Sequence, residues 1–481
     1  MITIFILFFP LLASLLFLFS GNENAKKIAL GISVIELAVS IFAAIQFIPD
    51  SNVQFALHVD WIRTLGISFH VGMDGISLLM VLLTSFLVPI IILSSFSKEY
   101  ANAKSFYFLI LLMECGLQGV FLSQNTFLFY IFWEVALIPI YFIAALWGGD
   151  KRIQVTLKFF IYTILGSLFM LIAFIYLYLQ SPTQTMDFQS LYQIALSRST
   201  QGILFWAFFL AFAIKMPIFP FHTWQPDTYA EAPTPGSMLL SGIMLKMGVY
   251  GVIRFILPML PLGMEDWGNT AIVLSVIGIV YGSLIAMVQK DLKRLIAYSS
   301  IAHVGLISAG IFTLNAQGLT GGIIQMLSHG LCVVGLFFVV DLIKKRTGTR
   351  IITELGGIAE KSPALAIYFM IIMLGSIALP LTSGFIGEYL MLTGLYEYNP
   401  YLAGIAGLGI IFGAVYMLNM YKRTMYGLSP LQSSEFKSLS MAENTALFVL
   451  SACILWIGIY PETFLHLARP AANHLLEIAK H

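Results

Sequence analysis

Fourteen stretches of about 18 or more apolar residues run through the chain, at about 2–20, 27–48, 74–96, 104–122, 124–147, 154–181, 201–222, 235–259, 268–289, 294–313, 318–344, 364–395, 399–426 and 442–466. As a helix, each is long enough to cross the roughly 30 Å hydrocarbon layer of a bilayer. Inside lipid every backbone N–H and C=O must be paired internally, which leaves helices or closed barrels, and runs of this length select helices. The chain is therefore expected to be an all-α polytopic membrane protein of about 14 transmembrane helices, forming a single membrane domain over residues 1–481. Charged residues make up 10% of it, against about 25% in soluble domains. The first run lacks the basic leader and small-residue cleavage site of a signal peptide, so it is expected to stay as a helix.

Charge placement tests the helix count independently. The connections after odd-numbered runs carry Lys26, Lys27, Lys98, Lys104, Lys151, Arg152, Lys158, Lys290, Lys293, Arg294, Lys344, Lys345, Arg346, Arg350, Lys361, Lys422, Arg423 and Lys437, eighteen of the twenty-five Lys and Arg. Those after even-numbered runs and the C-terminal tail carry only Arg63, Arg198, Arg254, Arg469 and Lys480. The positive-inside rule puts the odd connections in the cytoplasm and both termini on the outer, periplasmic face of a bacterial inner membrane. A net charge of +1 argues against a nucleic-acid partner. The segment 52–73 is too polar to span and alternates on either side of Thr64-Leu65-Gly66, which predicts a short β-hairpin on the outer face. Asp74 beside it reads as a carboxylate at the head of a helix.

The two remaining cations, Lys215 and Lys246, stand inside apolar runs. A lysine at the centre of a membrane helix costs about 2.5–3.5 kcal/mol, so such residues usually face a bundle interior or a water-filled cavity. Snorkelling to the interface is the bland alternative. Pro217, two residues after Lys215, has no backbone N–H and should break the seventh helix there, freeing carbonyls beside the ammonium. Glu134, in FYIFWEVALIPIYF, is the natural candidate to pair with Lys215, since a membrane carboxylate can be charged when a lysine faces it. Glu114, at similar depth in the fourth run, is as readily a neutral packing residue. His222, Asp227 and Glu231 follow the break and read equally as proton donors to Lys215 or as solvated surface groups.

His303, near Tyr298-Ser299-Ser300, and His329, after Ser328, occur in successive helices; a neutral histidine with hydroxyl neighbours can relay protons between its two nitrogens. A haem held between them is a competing reading. Pro380 and Ser383-Gly384 interrupt the twelfth run, and Glu388 lies eight residues past the proline. Cys115, Cys332 and Cys453 each lie in an apolar run, which speaks against disulfides and iron–sulfur ligation. No cofactor and no metal site is expected in this chain. If runs 4–8 and 9–13 form two five-helix units, the broken runs 7 and 12 hold the same place in each and the second unit is inverted, the pattern of an inverted-repeat transporter. The expected parts are residues 1–100 with the hairpin, a first repeat at 101–260, a second at 261–427, and a C-terminal helix and tail at 428–481.

The strings FWEVALIPIYF, FAIKMPIFPFHTWQPDTYAEAPTPGSMLLSGIMLKMGVYG, DLKRLIAYSSIAHVG and SGFIGEYLML resemble the antiporter-like proton-channel subunits of respiratory complex I over about residues 70–430. The resemblance implies a subunit of an NADH:quinone oxidoreductase that moves protons while redox chemistry proceeds elsewhere. It implies that Glu134 pairs with Lys215, that Lys246 links by water to His303 and His329, and that the line ends at Glu388. The implied partners are the lipid bilayer and other membrane subunits of the complex, including the related subunits L and N. Those relatives usually carry lysine where this chain has Glu388, which sets it apart from both. Multisubunit cation/proton antiporters, the runner-up, have related subunits, and Glu388 counts against them too.

Overall fold

The structure, a computed structural model, describes residues 1–427 and 436–480. Among these residues twelve helices are long and apolar enough to cross a membrane. They are α1 (Ile2–Phe19, its last turns a tighter 3-10 coil), α2 (Asn22–Gln46), α3 (Gly75–Ser94), α4 (Ala103–Leu122), α5 (Thr126–Trp147) and α6 (Arg152–Gln180), then α8 (Thr234–Met259), α9 (Pro261–Val288), α10 (Leu292–Phe312), α11 (Ala316–Thr347), α13 (Pro400–Met425) and α14 (Met441–Ile459). The expected runs 201–222 and 364–395 fall on two interrupted helices. These are α7 (Arg198–Lys215, resuming at Gln225–Glu231) and α12 (Pro363–Ser376, resuming at Ser383–Tyr398).

The hairpin forms where the alternation predicted it, as β1 (Gln54–Ile62) antiparallel to β2 (Ile67–Met73). Gly66 turns the chain with φ +58°, and a Cβ there would lie 2.0 Å from the Gln184 carbonyl oxygen, so the tip accepts only glycine.

α8 is buried along its whole length and α11 through all but its ends, with α3, α4 and α10 packed round them. α6 turns Leu157, Ile161, Leu165, Leu168, Ile172 and Leu179 outward, an apolar exterior suited to lipid or a neighbouring subunit. Apolar side chains gain little by leaving lipid for protein, so helix contacts depend on close backbone approach through small residues. Gly242 of α8 and Gly330 of α11 meet in this way: a Cβ on Gly330 would lie 2.9 Å from the Gly242 carbonyl oxygen. Gly248 and Gly251 bring α8 equally close to α7, where added Cβ atoms would lie 2.9 Å from the Phe212 carbonyl oxygen and 2.3 Å from the Phe212 ring.

Three expectations need correction. Arg254, assigned to an outer connection, is buried in α8, where it donates to Asp74 and, at 3.0 Å, to Ser77 Oγ. Asp74 is thus both the N-cap of α3, accepting from Ser77 N at 2.9 Å, and one half of an enclosed ion pair. Lys293, assigned to a cytoplasmic connection, is also buried; its Nζ donates to the Ala232 carbonyl (2.9 Å) and to Ser237 Oγ (3.1 Å). In both cases the charge sits at the end of an apolar run, where sequence alone reads it as solvated. The expected tail contains a further helix, α15 (Glu462–Ile478), whose Leu465, Ala468, Ala472 and Leu475 pack inward. The boundary expected at 427–428 adjoins residues 428–435, which lie outside the described residues.

Candidate functional site

α7 ends on Lys215, as the proline two residues later dictates, and the chain resumes a helix only at Gln225. The freed carbonyls are met locally: Ile218 N donates to Ala213 O (2.8 Å), and Trp224 Nε1 to Ile214 O (3.0 Å). Lys215 Nζ lies 5.0 Å from the centre of the Trp133 ring, a cation–π contact from the residue preceding Glu134. Glu134, the expected partner of Lys215, lies near it without a hydrogen bond or close ion-pair contact between them. Neither Lys215 Nζ nor Glu134 Oε1 has a hydrogen-bond partner among the described residues, and the two interact through space.

Lys246 is held differently. Residues Leu240–Met244 form a wide, π-helical turn, and the Ser241 carbonyl accepts from Lys246 Nζ at 2.7 Å. Such turns inside α-helices are frequent at functional sites. The same ammonium lies 2.9 Å from His329 Nδ1 on α11, and His329 Nε2 lies 2.9 Å from Ser300 Oγ on α10. With Lys246 donating to Nδ1, the ring proton sits on Nε2 and is donated to Ser300.

His303, one turn beyond Ser300 on α10, has its ring centre 5.9 Å from that of His329. Its Nδ1 is 3.1 Å from Glu388 Oε1, and Gln325 Nε2 donates to the same oxygen at 3.5 Å. Two small cavities of mixed polar and apolar lining flank His303. One of about 10 Å³ is bordered by Ser299, Ser300, His329 and Gln325; another of about 20 Å³, largely apolar, lies on the Glu388 side against Tyr416. A space of about 10–15 Å³ with two or more polar partners is what one water needs, and the first, among the hydroxyls and the two histidines, meets both conditions. Lys246, His329, His303 and Glu388, from α8, α11, α10 and α12, are thus brought into one line, while Glu134 and Lys215 form a second group beside the α7 break.

Of the residues left open by the sequence, His222 is buried behind the break with Nδ1 unpartnered among the described residues, packed on Phe219 and Tyr281. Asp227 pairs with Arg294 (2.9 Å) and Lys158 (3.6 Å), and Glu231 accepts from the Lys151 backbone N–H (3.2 Å), so both acids tie the break to α6 and α10. Glu114 on α4 is fully buried, within electrostatic reach of Glu36 on α2, and neither carboxyl has a hydrogen-bond partner among the described residues. Sequence reasoning passed over Glu36, although an acid within an apolar run is itself a signal, and it read Lys293 as a solvated connection residue. It named Ser300 as a hydroxyl neighbour of His303, and the structure sets that hydroxyl against His329.

A helix that breaks beside a buried lysine, a second broken helix, and a membrane-embedded line of lysine, histidine and glutamate define an antiporter-like membrane protein. Residues 123–413 match the family described as NADH:quinone oxidoreductase/Mrp antiporter, transmembrane. The chain is 43% identical over 483 residues to NADH-quinone oxidoreductase subunit M of Rickettsia prowazekii, covering 99% of this chain and 98% of that one. Its fold superposes on a chain of respiratory complex I from Thermus thermophilus with a TM-score of 0.93 at 29% identity, over 100% of both chains. A chain of the Mrp complex from Dietzia gives a TM-score of 0.86 at 20% identity, over 98% of this chain and 52% of that one, a likeness of fold alone. The chain belongs to the NADH:quinone oxidoreductase/Mrp antiporter membrane family.

Proposed function

We propose that this chain is the M-type subunit of a bacterial NADH-quinone oxidoreductase and moves protons across the inner membrane while quinone is reduced in other subunits. The observation that carries this reading is the run of contacts from Lys246 through His329 and His303 to Glu388. A proton on the Lys246 ammonium passes to His329 Nδ1 along an existing contact, and the Nε2 proton leaves toward Ser300 and the adjoining cavity. His303 takes it up there and delivers it from Nδ1 to Glu388. Glu134 and Lys215 act as the gate beside the α7 break: a carboxylate approaching Lys215 holds its proton, and withdrawal releases it toward Lys246.

The protein's neighbours in this reading are other membrane subunits of the complex, including the antiporter-like subunits L and N, and lipid. Both termini lie on the periplasmic face, and fourteen crossings arranged as two inverted five-helix repeats put α7 and α12 in equivalent places. The chain itself carries no redox centre. Both ring nitrogens of His329 are already engaged, by Lys246 and Ser300, which supports proton relay over haem ligation.

The test is the purified complex in sealed vesicles, with NADH oxidation and proton uptake measured together. Lys246→Ala should assemble but lose coupled proton movement; undiminished pumping would overturn the reading. The cation/proton antiporter alternative, favoured by the shared fold, would instead show sodium-dependent proton movement without NADH.

A further inference from the structure

The hairpin carries two histidines that the proton line does not use. His58 of β1 and His70 of β2 stand directly opposite each other in the antiparallel register, so both imidazoles project from the same face. A third residue reaches them from the connection after α6: Asp187 Oδ2 lies 3.5 Å from His58 Nε2 and 3.5 Å from His70 Nδ1. All three ligand-type atoms lie within 4.8 Å of one another.

Neither spacing makes a good hydrogen bond, for which about 2.7–3.2 Å is normal. Both spacings suit a common metal ion. Bonds of about 2.0–2.1 Å at the tetrahedral angle put neighbouring ligand atoms roughly 3.3–3.4 Å apart. The carboxylate is also arranged as a ligand should be. Its other oxygen, Oδ1, accepts from Ser68 Oγ (2.7 Å) and Asn125 Nδ2 (2.9 Å), which fixes the plane of the group and leaves Oδ2 turned toward the imidazoles. His70 Nδ1 is enclosed and has no hydrogen-bond partner among the described residues.

The geometry points to a divalent transition-metal site on the hairpin face, made by His58, His70 and Asp187 and taking Zn²⁺, with the fourth position left to water on the exposed His58 side. Two nitrogens and one carboxylate oxygen suit zinc and exclude a preference for Mg²⁺ or Ca²⁺, which take oxygen ligands. The ion would fasten the hairpin to the segment 186–188. That segment is bonded to the head of α5: Met186 O accepts from Thr126 N (2.8 Å), and Phe188 N donates to Gln124 O (3.0 Å). Asn125 itself caps α5 through Phe127 N (3.0 Å). Zinc would therefore stiffen the mounting of the helix that carries Glu134.

The experiment counts zinc bound by the chelator-treated, purified whole complex across a range of free Zn²⁺, by elemental analysis after dialysis. Wild type should bind one zinc more per complex than His58→Gln or His70→Gln, and its zinc absorption-edge spectrum should hold nitrogen and oxygen donors at about 2.0–2.1 Å. Ser68→Ala, which removes the bond to Oδ1 and a longer one from Asn125 Nδ2 (3.3 Å), should weaken that zinc by about tenfold. His58 is half exposed and its replacement does not threaten folding. Equal zinc content and affinity in wild type and His58→Gln would overturn the site, as would displacement of the zinc by millimolar Mg²⁺.

Discussion

Lys246 Nζ and His329 Nδ1 lie 2.9 Å apart in the wholly buried centre of the protein, the ammonium of one helix directed at a ring nitrogen of another. A contact of this kind transfers a proton without rearrangement of the backbone. Replacing Lys246 by Ala should remove coupled proton movement and slow NADH-driven quinone reduction on the order of a hundredfold, the scale of losing a positioned proton-transfer group. His329→Ala should do the same, and the double variant should be scarcely worse than either single one, because residues acting as a unit are not additive. Multiplicative losses in a double-mutant cycle would separate the two.

Glu134 and Lys215 interact without touching, so their coupling depends on the reach of the carboxylate. Glu134→Asp keeps the charge on a shorter stem and should retain a larger share of proton pumping than Glu134→Ala. Assembly, followed by copurification of the complex, should be unchanged in both. Equal pumping by wild type and Glu134→Ala would remove the pair from the mechanism.

At the other end of the line, Glu388→Gln keeps the size of the side chain and its bond to His303 but cannot ionise. It should impair pumping, whereas Glu388→Lys should be tolerated better if the position requires a titratable group. Normal pumping by both would mark the position as structural.

The close approach of α7 to α8 gives a prediction that does not depend on proton chemistry. A Cβ on Gly251 would lie 2.3 Å from the Phe212 ring, so Gly251→Ala should force α8 off α7 and cost about 1–3 kcal/mol as overpacking. The check is thermal unfolding of the complex, and Phe212→Leu in the same chain should restore part of the loss.

Much of this arrangement was legible in the chain itself, because a bilayer turns length and polarity into position. Apolar runs marked the helices, Pro217 and Pro380 marked where two of them break, and alternation between residues 52 and 73 marked the hairpin. The azimuth of each side chain was not legible. The resemblance implied a link by water between Lys246 and His329, but nothing in the string says that the two touch directly or that Glu134 stops short of Lys215, since both facts depend on how far two backbones approach and on local widening of α8. Arg254 and Lys293 were misplaced for a related reason: at the margin of an apolar run a cation looks the same whether it reaches water or turns inward to Asp74 or to the Ala232 carbonyl.

The enclosed pair of Asp74 and Arg254 joins α3 to α8. Asp74→Ala would leave a buried guanidinium without its counter-charge, at a loss of about 3–5 kcal/mol. The expected outcome is reduced yield of the assembled complex and a lower unfolding temperature, with Arg254→Met in the Asp74→Ala background recovering part of both. No recovery in the double variant would show that Arg254 has a second role.

The wide turns at Leu240–Met244 and Val252–Ile256 make α8 a helix in which the count of residues matters as much as their kind. Each holds one more residue than an α-turn does, and each residue of an α-helix advances the face by about 100°. The first therefore sets the clock for everything after it. Were the same residues wound as an ordinary α-turn, Lys246 would stay in the chain, at nearly the same depth and among the same neighbours in sequence, yet pointing to another hour, away from His329. Two relatives with identical site residues can thus differ in whether the line is connected at all.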